Sequence, residues 1–325
     1  MNLNPREIKS QLKSYRINPE PEKPSRWSFL KVLREFSNIK EFYPDINPYA
    51  EVYHYKDNLY AIFTEGLSKT CGDMWHYLIV GPKKALLIDT GFGVGNLKAL
   101  CEKLAEGKEI ICVNTHYHLD HIGGNLWFDK VYCHQYDKKY IEESIYPTFI
   151  TEKVLNEDGS IKDTYFDVND LPAFHKYEVI GVEDGYRFDL GDNYIVELIH
   201  LPGHTPGQSG YFDHQSGCFF IGDTTSALPA RKDEEHKECC TILALRDAMV
   251  NVLNKYGDQI SGVYPGHGTF DLHPVSLQYL VDACNSILKN PDNYDKITTF
   301  GGRRMMAKFI FQQGSDLKYT DESIK

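Results

Sequence analysis

No stretch of the sequence approaches the roughly 18 consecutive apolar residues of a membrane span. The start, Met1 to Arg16, carries charges throughout and lacks the apolar centre of a secretory signal. No membrane partner is expected, and the expected location is cytoplasmic. Basic charge is also scarce: 35 Lys and Arg stand against 46 Asp and Glu, giving a net charge of -11 and a pI near 5.6. That balance argues against a nucleic-acid partner and for a small-molecule substrate. No C-x-x-C pair occurs among the eight cysteines, so neither a disulfide framework nor a thiolate metal cage is indicated. Cys112, within Ile110–Val113, and Cys101, on an apolar helical stripe, read as small buried hydrophobes. The adjacent Cys239 and Cys240 read as incidental neighbours near a helix start, with redox or metal chemistry as the alternative.

What is present is ordinary globular material, 42% hydrophobic and 25% charged over 325 residues. Residues 1–50, rich in charge and proline, form an expected N-terminal extension packed on the main domain, with an amphipathic helical stretch at Trp27–Phe36. The main domain is expected over 51–290, with an insertion at about 134–177 and a C-terminal extension over 291–325. Strand patterns fall at Tyr60–Phe63, Trp75–Val80 and Ala85–Ile88. A helix with Asn96 as N-cap and Gly107 as stop carries Leu97, Leu100, Cys101 and Leu104, and strand Ile110–Val113 follows, a βαβ unit. Short strands at Tyr194–Ile199, Ser209–Phe212 and Cys218–Ile221 come next. A helix through Leu245 and Leu253, strand Ile260–Tyr264 and a helix opening at Pro274 complete sheet layers flanked by helices.

The chemistry concentrates in Thr115-His-Tyr-His-Leu-Asp-His121, directly after a buried-type strand. In an extended stretch residues two apart share a face, so His116 and His118 can offer nitrogens to one ion. The turn at Ile122–Gly124 then frees Asp120 and His121 to face a second. His204, Asp223 and His267 each follow a strand and sit in a turn, in Pro-Gly-His-Thr-Pro-Gly, Gly-Asp-Thr and Pro-Gly-His-Gly contexts. Alone, each reads as a turn residue; together with the first cluster they read as ligands. Imidazoles and carboxylates suit two Zn²⁺ ions, and the same donors admit Fe or Mn.

These motifs, with the strand-end Asp89-Thr-Gly91, resemble the metallo-β-lactamase fold superfamily over roughly residues 52–290, and within it the glyoxalase II-like hydrolases. The resemblance implies an α/β fold, an αββα sandwich. It also implies that His116, His118 and His204 bind the first metal, Asp120, His121 and His267 the second, and Asp223 both. A dinuclear hydrolase of this kind would use a metal-bridging hydroxide to cleave an ester, thioester, lactone or related acyl bond, with Asp120 orienting the hydroxide and accepting its proton. Asp89 would fix the tautomer of a ligating histidine, or merely end its strand in a turn.

Further expectations are looser. Trp75 and His76, near a strand start, either line the pocket or pack, and Arg303-Arg304 either bind an anion or decorate an edge strand. The aromatic-rich insertion is expected to form a lid that selects substrate. Other readings are a phosphodiester or sulfate-ester hydrolase, a mononuclear iron enzyme like the persulfide dioxygenases, and a metal-containing regulatory protein.

Overall fold

The computed structural model describes residues 33–34, 37–67, 73–162, 166–226, 235–300, 302–311 and 315–325. Its first sheet holds eight strands in sequence order: β1 (Lys40–Tyr43), β2 (Asn47–Lys56), β3 (Leu59–Thr64), β4 (Met74–Val80), β5 (Lys84–Ile88), β6 (Glu109–Val113), β7 (Lys130–His134) and β8 (Glu178–Val182). Pairing is antiparallel from β1 to β5 and parallel from β5 to β8. Parallel neighbours need a crossover, and helix α1 (Leu97–Leu104) and helix α2 (Gln135–Glu143) supply two of them. Asn96 caps α1 as the sequence predicts, accepting from the Ala99 N–H at 2.9 Å.

The second sheet runs β13-β12-β11-β10-β9, from β9 (Arg187–Asp189), β10 (Ile195–His200), β11 (Ser209–Asp213), β12 (Cys218–Gly222) and β13 (Gly262–Pro265). Period-two alternation decides the layers. Trp75, Tyr77, Leu86, Ile88 and Val113 face Val196, Leu198, Tyr211, Phe220 and Tyr264 in the core between the sheets. The opposite parity, Leu78, Ala85, Leu87 and Cys112, packs beneath Leu100, Cys101 and Leu104 of α1. On the far side Phe219, Ile221 and Val263 pack beneath α3 (Ile242–Tyr256) and α4 (Val275–Lys289). The result is the αββα sandwich. Its consequence for the site is that β5, β6, β10, β12 and β13 all end near one rim, each followed by a polar residue taken up below.

One expectation needs adjustment. The stretch Met305–Phe311, expected at a sheet edge, lies up to Phe309 in β15 (Arg303–Phe309), the middle of a three-stranded sheet between β14 (Lys296–Phe300) and β16 (Asp316–Tyr319). Leu317 and Tyr319 join the α3/α4 core, which buries one face of that sheet and leaves Arg303 and Arg304 exposed. The aromatic-rich insertion opens with the nine-residue α2. The helix expected at Trp27–Phe36 lies outside the described residues except for Leu33 and Arg34, which are helical. Arg34 is buried between Glu51 and Glu65. Among the described residues no helix is long and apolar enough to cross a membrane.

Candidate metal centre

The chain leaves β6 at Val113 and is turned back at once. The Asn114 side chain donates to the His121 carbonyl at 3.0 Å, the Thr90 N–H reaches the same carbonyl at 2.9 Å, and His121 N–H closes on the His118 carbonyl at 2.9 Å. His118 stays extended while Leu119–Ile122 form a single helical turn. That change of direction points His116 and His118 one way and Asp120 and His121 another. Nε2 of His116 lies 3.0 Å from Nδ1 of His118, which lies 2.8 Å from Nε2 of His204. Three imidazole nitrogens thus converge from two loops 86 residues apart.

A second group forms beside the first. Nε2 of His267 stands 3.4 Å from Oδ2 of Asp120 and 3.4 Å from Oδ2 of Asp223. Oδ1 of Asp223 is 3.4 Å from Nε2 of His121, and its Oδ2 is 3.8 Å from Nε2 of His204. The structure therefore brings together all seven residues singled out from the sequence, in groups His116-His118-His204, Asp120-His121-His267 and His116-His121-Asp223 whose ligand atoms lie within 4.8 Å of one another. Asp223 belongs between the other two groups. The approach here is close: a Cβ on Gly266 would come within 3.1 Å of both Asp223 Oδ1 and His121 Cε1.

Charge organises the centre as strongly as geometry. Burial opposes charging of His121, but Asp89, Asp223 and Asp120 outweigh it and raise its pKa to about 10. Burial likewise opposes a charge on His267, yet Asp223 and Asp120 raise its pKa well above the usual imidazole value. His116, buried and flanked by His121, His118 and His204, is held well below that value, so its lone pair is free. Despite burial, His121 and His267 pull Asp120 down to about 2, and the same two histidines, His267 foremost, hold Asp223 well below the carboxylate range. A field that draws protons onto His121 and His267 is one that draws cations. Nε2 of His121 and Oδ1 of Asp223 are buried 3.4 Å apart and make no well-formed hydrogen bond, and a cation between them would satisfy both. The residues present fit a pair of metal ions.

Of the more loosely expected residues, Asp89 touches the centre directly, with Oδ2 2.7 Å from Nδ1 of His121. Trp75 packs in the core; it is 1% exposed, lies edge-on against Phe63, Tyr53 and Phe270, and donates its indole N–H to the Gly268 carbonyl. His76 is fully buried, 2.8 Å from the Thr64 hydroxyl. Sequence reading missed Thr115, whose hydroxyl donates to Asp89 at 2.8 Å, and Asp137, whose carboxylate accepts from the His204 loop. Thr115 opens the histidine motif but carries no signal of its own there, and Asp137 sits in no pattern that marks it.

Comparison with known proteins agrees with this geometry. The family model described as the Metallo-beta-lactamase superfamily matches residues 75–294. Hydroxyacylglutathione hydrolase GloC of Haemophilus influenzae is 26% identical over 171 residues, covering 51% of this chain and 71% of the relative. Acyl-coenzyme A thioesterase MBLAC2 of Homo sapiens is 27% identical over 256 residues, covering 71% and 84%. A solved metallo-beta-lactamase from Pontibacter korlensis matches with a TM-score of 0.51 at 17% identity, over 73% of this chain and 99% of that one, a likeness of fold.

Proposed function

Since the chain belongs to the metallo-beta-lactamase superfamily, we propose that it is a hydrolase with two metal ions, zinc by the chemistry of its donors, that cleaves a small-molecule thioester. The observation that carries the dinuclear reading is Asp223, whose carboxylate stands within 3.8 Å of a histidine nitrogen from each triad. The thioester reading draws on the two relatives, one named for an acyl-glutathione and the other for acyl-coenzyme A, both thioesters.

When bound, the two ions supply water activated near neutral pH and positive charge for the carbonyl oxygen. His116, His118 and His204 would hold the first ion, Asp120, His121 and His267 the second, with Asp223 shared. In the reaction the oxygen of water bonds to the acyl carbon, the C–S bond breaks, and sulfur leaves with its electron pair to become a thiol. Asp120, ionised at any physiological pH, takes the proton lost by the water and passes it to the departing sulfur. Asp89 keeps a proton on Nδ1 of His121, so that Nε2 is the nitrogen that would hold the second ion.

The test is metal analysis of the purified chain, followed by assay of acyl-coenzyme A, acyl-glutathione, lactone and phosphodiester substrates with a free-thiol readout for the first two. About two ions per chain, thiol release abolished by chelation, and recovery with Zn²⁺ or Mn²⁺ are expected. One iron per chain with oxygen consumption, or phosphodiester cleavage alone, overturns the proposal.

A further inference from the structure

We propose that Asp137, in the first turn of α2, is a positioning residue that sets the geometry of the His116-His118-His204 triad; this rests on the reading that the triad holds a metal ion. Asp137 is fully buried, and a carboxylate is kept out of water only where hydrogen bonds replace its hydration. Its partners are specific. Oδ1 accepts the Gly207 N–H at 2.7 Å; Oδ2 accepts the Thr205 hydroxyl at 2.8 Å and the Tyr117 N–H at 3.1 Å. Thr205 and Gly207 belong to the loop that carries His204, while Tyr117 lies between His116 and His118. One carboxylate therefore ties together the two segments that deliver the triad, which are 20, 68 and 70 residues from it in sequence.

The fit is close. A Cβ on Gly207 would fall 2.7 Å from the Asp137 carboxylate carbon, so the loop can approach only as glycine. A second hold comes from His200, whose Nε2–H donates to the Pro206 carbonyl at 2.7 Å and whose ring stacks at 4.0 Å on His134, the N-cap of α2. The start of α2 thus grips three consecutive residues after His204. A shift of the His204 loop relative to Tyr117 would open the 2.8–3.0 Å spacing of the three nitrogens, on which ion affinity depends. The rim has a division of labour. Asp89 acts through the ring of His121, whereas Asp137 acts through the backbone on either side of the first triad.

A buried clamp that only stabilised the fold would weaken both ions together, in step with thermal stability. The test uses the full chain as Asp137→Asn, which keeps the shape but turns one acceptor oxygen into a donor group facing donors. It also uses Thr205→Val, which removes one donor, with Thr205→Ser as its rescue. Zn²⁺ is titrated against a chromogenic chelator, with His204→Ala and His267→Ala as references for the loss of each site. Asp137→Asn is expected to lose roughly 10- to 100-fold in affinity for the ion lost by His204→Ala, the effect usual for groups that orient ligands, and to keep the other. Thr205→Val should show a smaller loss of the same ion and Thr205→Ser should recover it; this pair decides the matter even if Asp137→Asn does not fold. Unchanged affinities in Asp137→Asn, or in the Thr205 pair, overturn the inference. So does an equal loss of both ions. A wild-type chain that binds no ion overturns the metal reading and the inference with it, and that outcome appears before any variant is made.

Discussion

The Asp89 carboxylate meets His121 and Thr115 at once: Oδ2 lies 2.7 Å from His121 Nδ1 and 2.8 Å from the Thr115 hydroxyl, and Oδ1 accepts the Thr115 N–H at 2.7 Å. To do so Asp89 adopts a φ of 62°, a left-handed conformation that costs a non-glycine residue about 1–2 kcal/mol. Three donors converge on two oxygens, which an amide cannot satisfy. Asp89→Asn is therefore expected to lower affinity for the ion held by His121 by about 10- to 100-fold while the chain stays folded. Chelator competition checks this, and a variant with wild-type affinity for both ions would remove Asp89 from any role at the centre.

Asp120 carries the proton in the proposed reaction and also stands 3.4 Å from His267. Asp120→Asn keeps the shape but neither the charge nor the basicity, and turnover should fall at least ~10²-fold. Measured with metal content in the same preparation, the loss should exceed any drop in occupancy. Near-normal kcat with two ions bound would transfer the proton to another group.

The residues of the candidate centre were legible in the sequence because the loops that carry them all leave the ends of strands, so a one-dimensional pattern marks a three-dimensional rim. His116 and His118 share a face by period two, and the glycines beside Asp223 and His267 mark the tight turns that expose them. The same parity, applied one strand earlier, assigns Trp75 to the core along with Tyr77 and Ile79; reading it as rim relied on its place near a strand start alone. Asp137 left no trace, since its meaning comes from donors far along the chain. Helix α2 escaped notice because it buries only Asp137 and Ile141 and so lacks an apolar stripe. Strand β2 was obscured in a similar way. Glu51 is fully buried there, paired with Arg34 and bonded to the Tyr53 hydroxyl, and a charge inside breaks the apolar signature of a strand.

His134 lies outside the centre yet titrates abnormally. Burial, reinforced by His200 and His236, lowers its pKa to about 3, so it stays neutral in the folded chain where an unfolded histidine, near 6.5, gains a proton. The unfolded state binds more protons between those values, so stability falls as pH drops from about 6.5 toward 3. At about pH 5 this single group accounts for a loss on the order of 2 kcal/mol. His134→Asn keeps an N-cap acceptor for Tyr136 without the titration, and its urea midpoint should decline less than that of the wild type between about pH 7 and 5. Parallel curves would show that His134 protonates freely in the folded protein.

The segment from 134 to 177 is expected to wall the pocket, and two aromatic residues test which part of it does so. Phe166 is 1% exposed and packs with Tyr49, Phe92, Ile150 and Val154 in a cluster of its own, so Phe166→Ala should cost about 3–5 kcal/mol. Its effect on substrate preference should be nil. Tyr140 is half-buried, stacks on Tyr117 at 4.7 Å, and accepts the Glu235 N–H at 2.9 Å; Tyr117 in turn meets the His118 ring at 4.9 Å. That relay puts an aromatic surface beside His118, where it can contact the acyl or thiol portion of the proposed substrate. Tyr140→Ala is expected to raise KM several-fold and to alter the ranking of acyl-coenzyme A against acyl-glutathione substrates, with metal content unchanged. Tyr140→Phe, which keeps the stacking surface, should restore most of the KM. If Tyr140→Ala leaves KM and the ranking untouched while Phe166→Ala shifts them, the wall lies on the Phe166 side, and the stack of Tyr140 on Tyr117 serves only to hold α2 against the His118 loop.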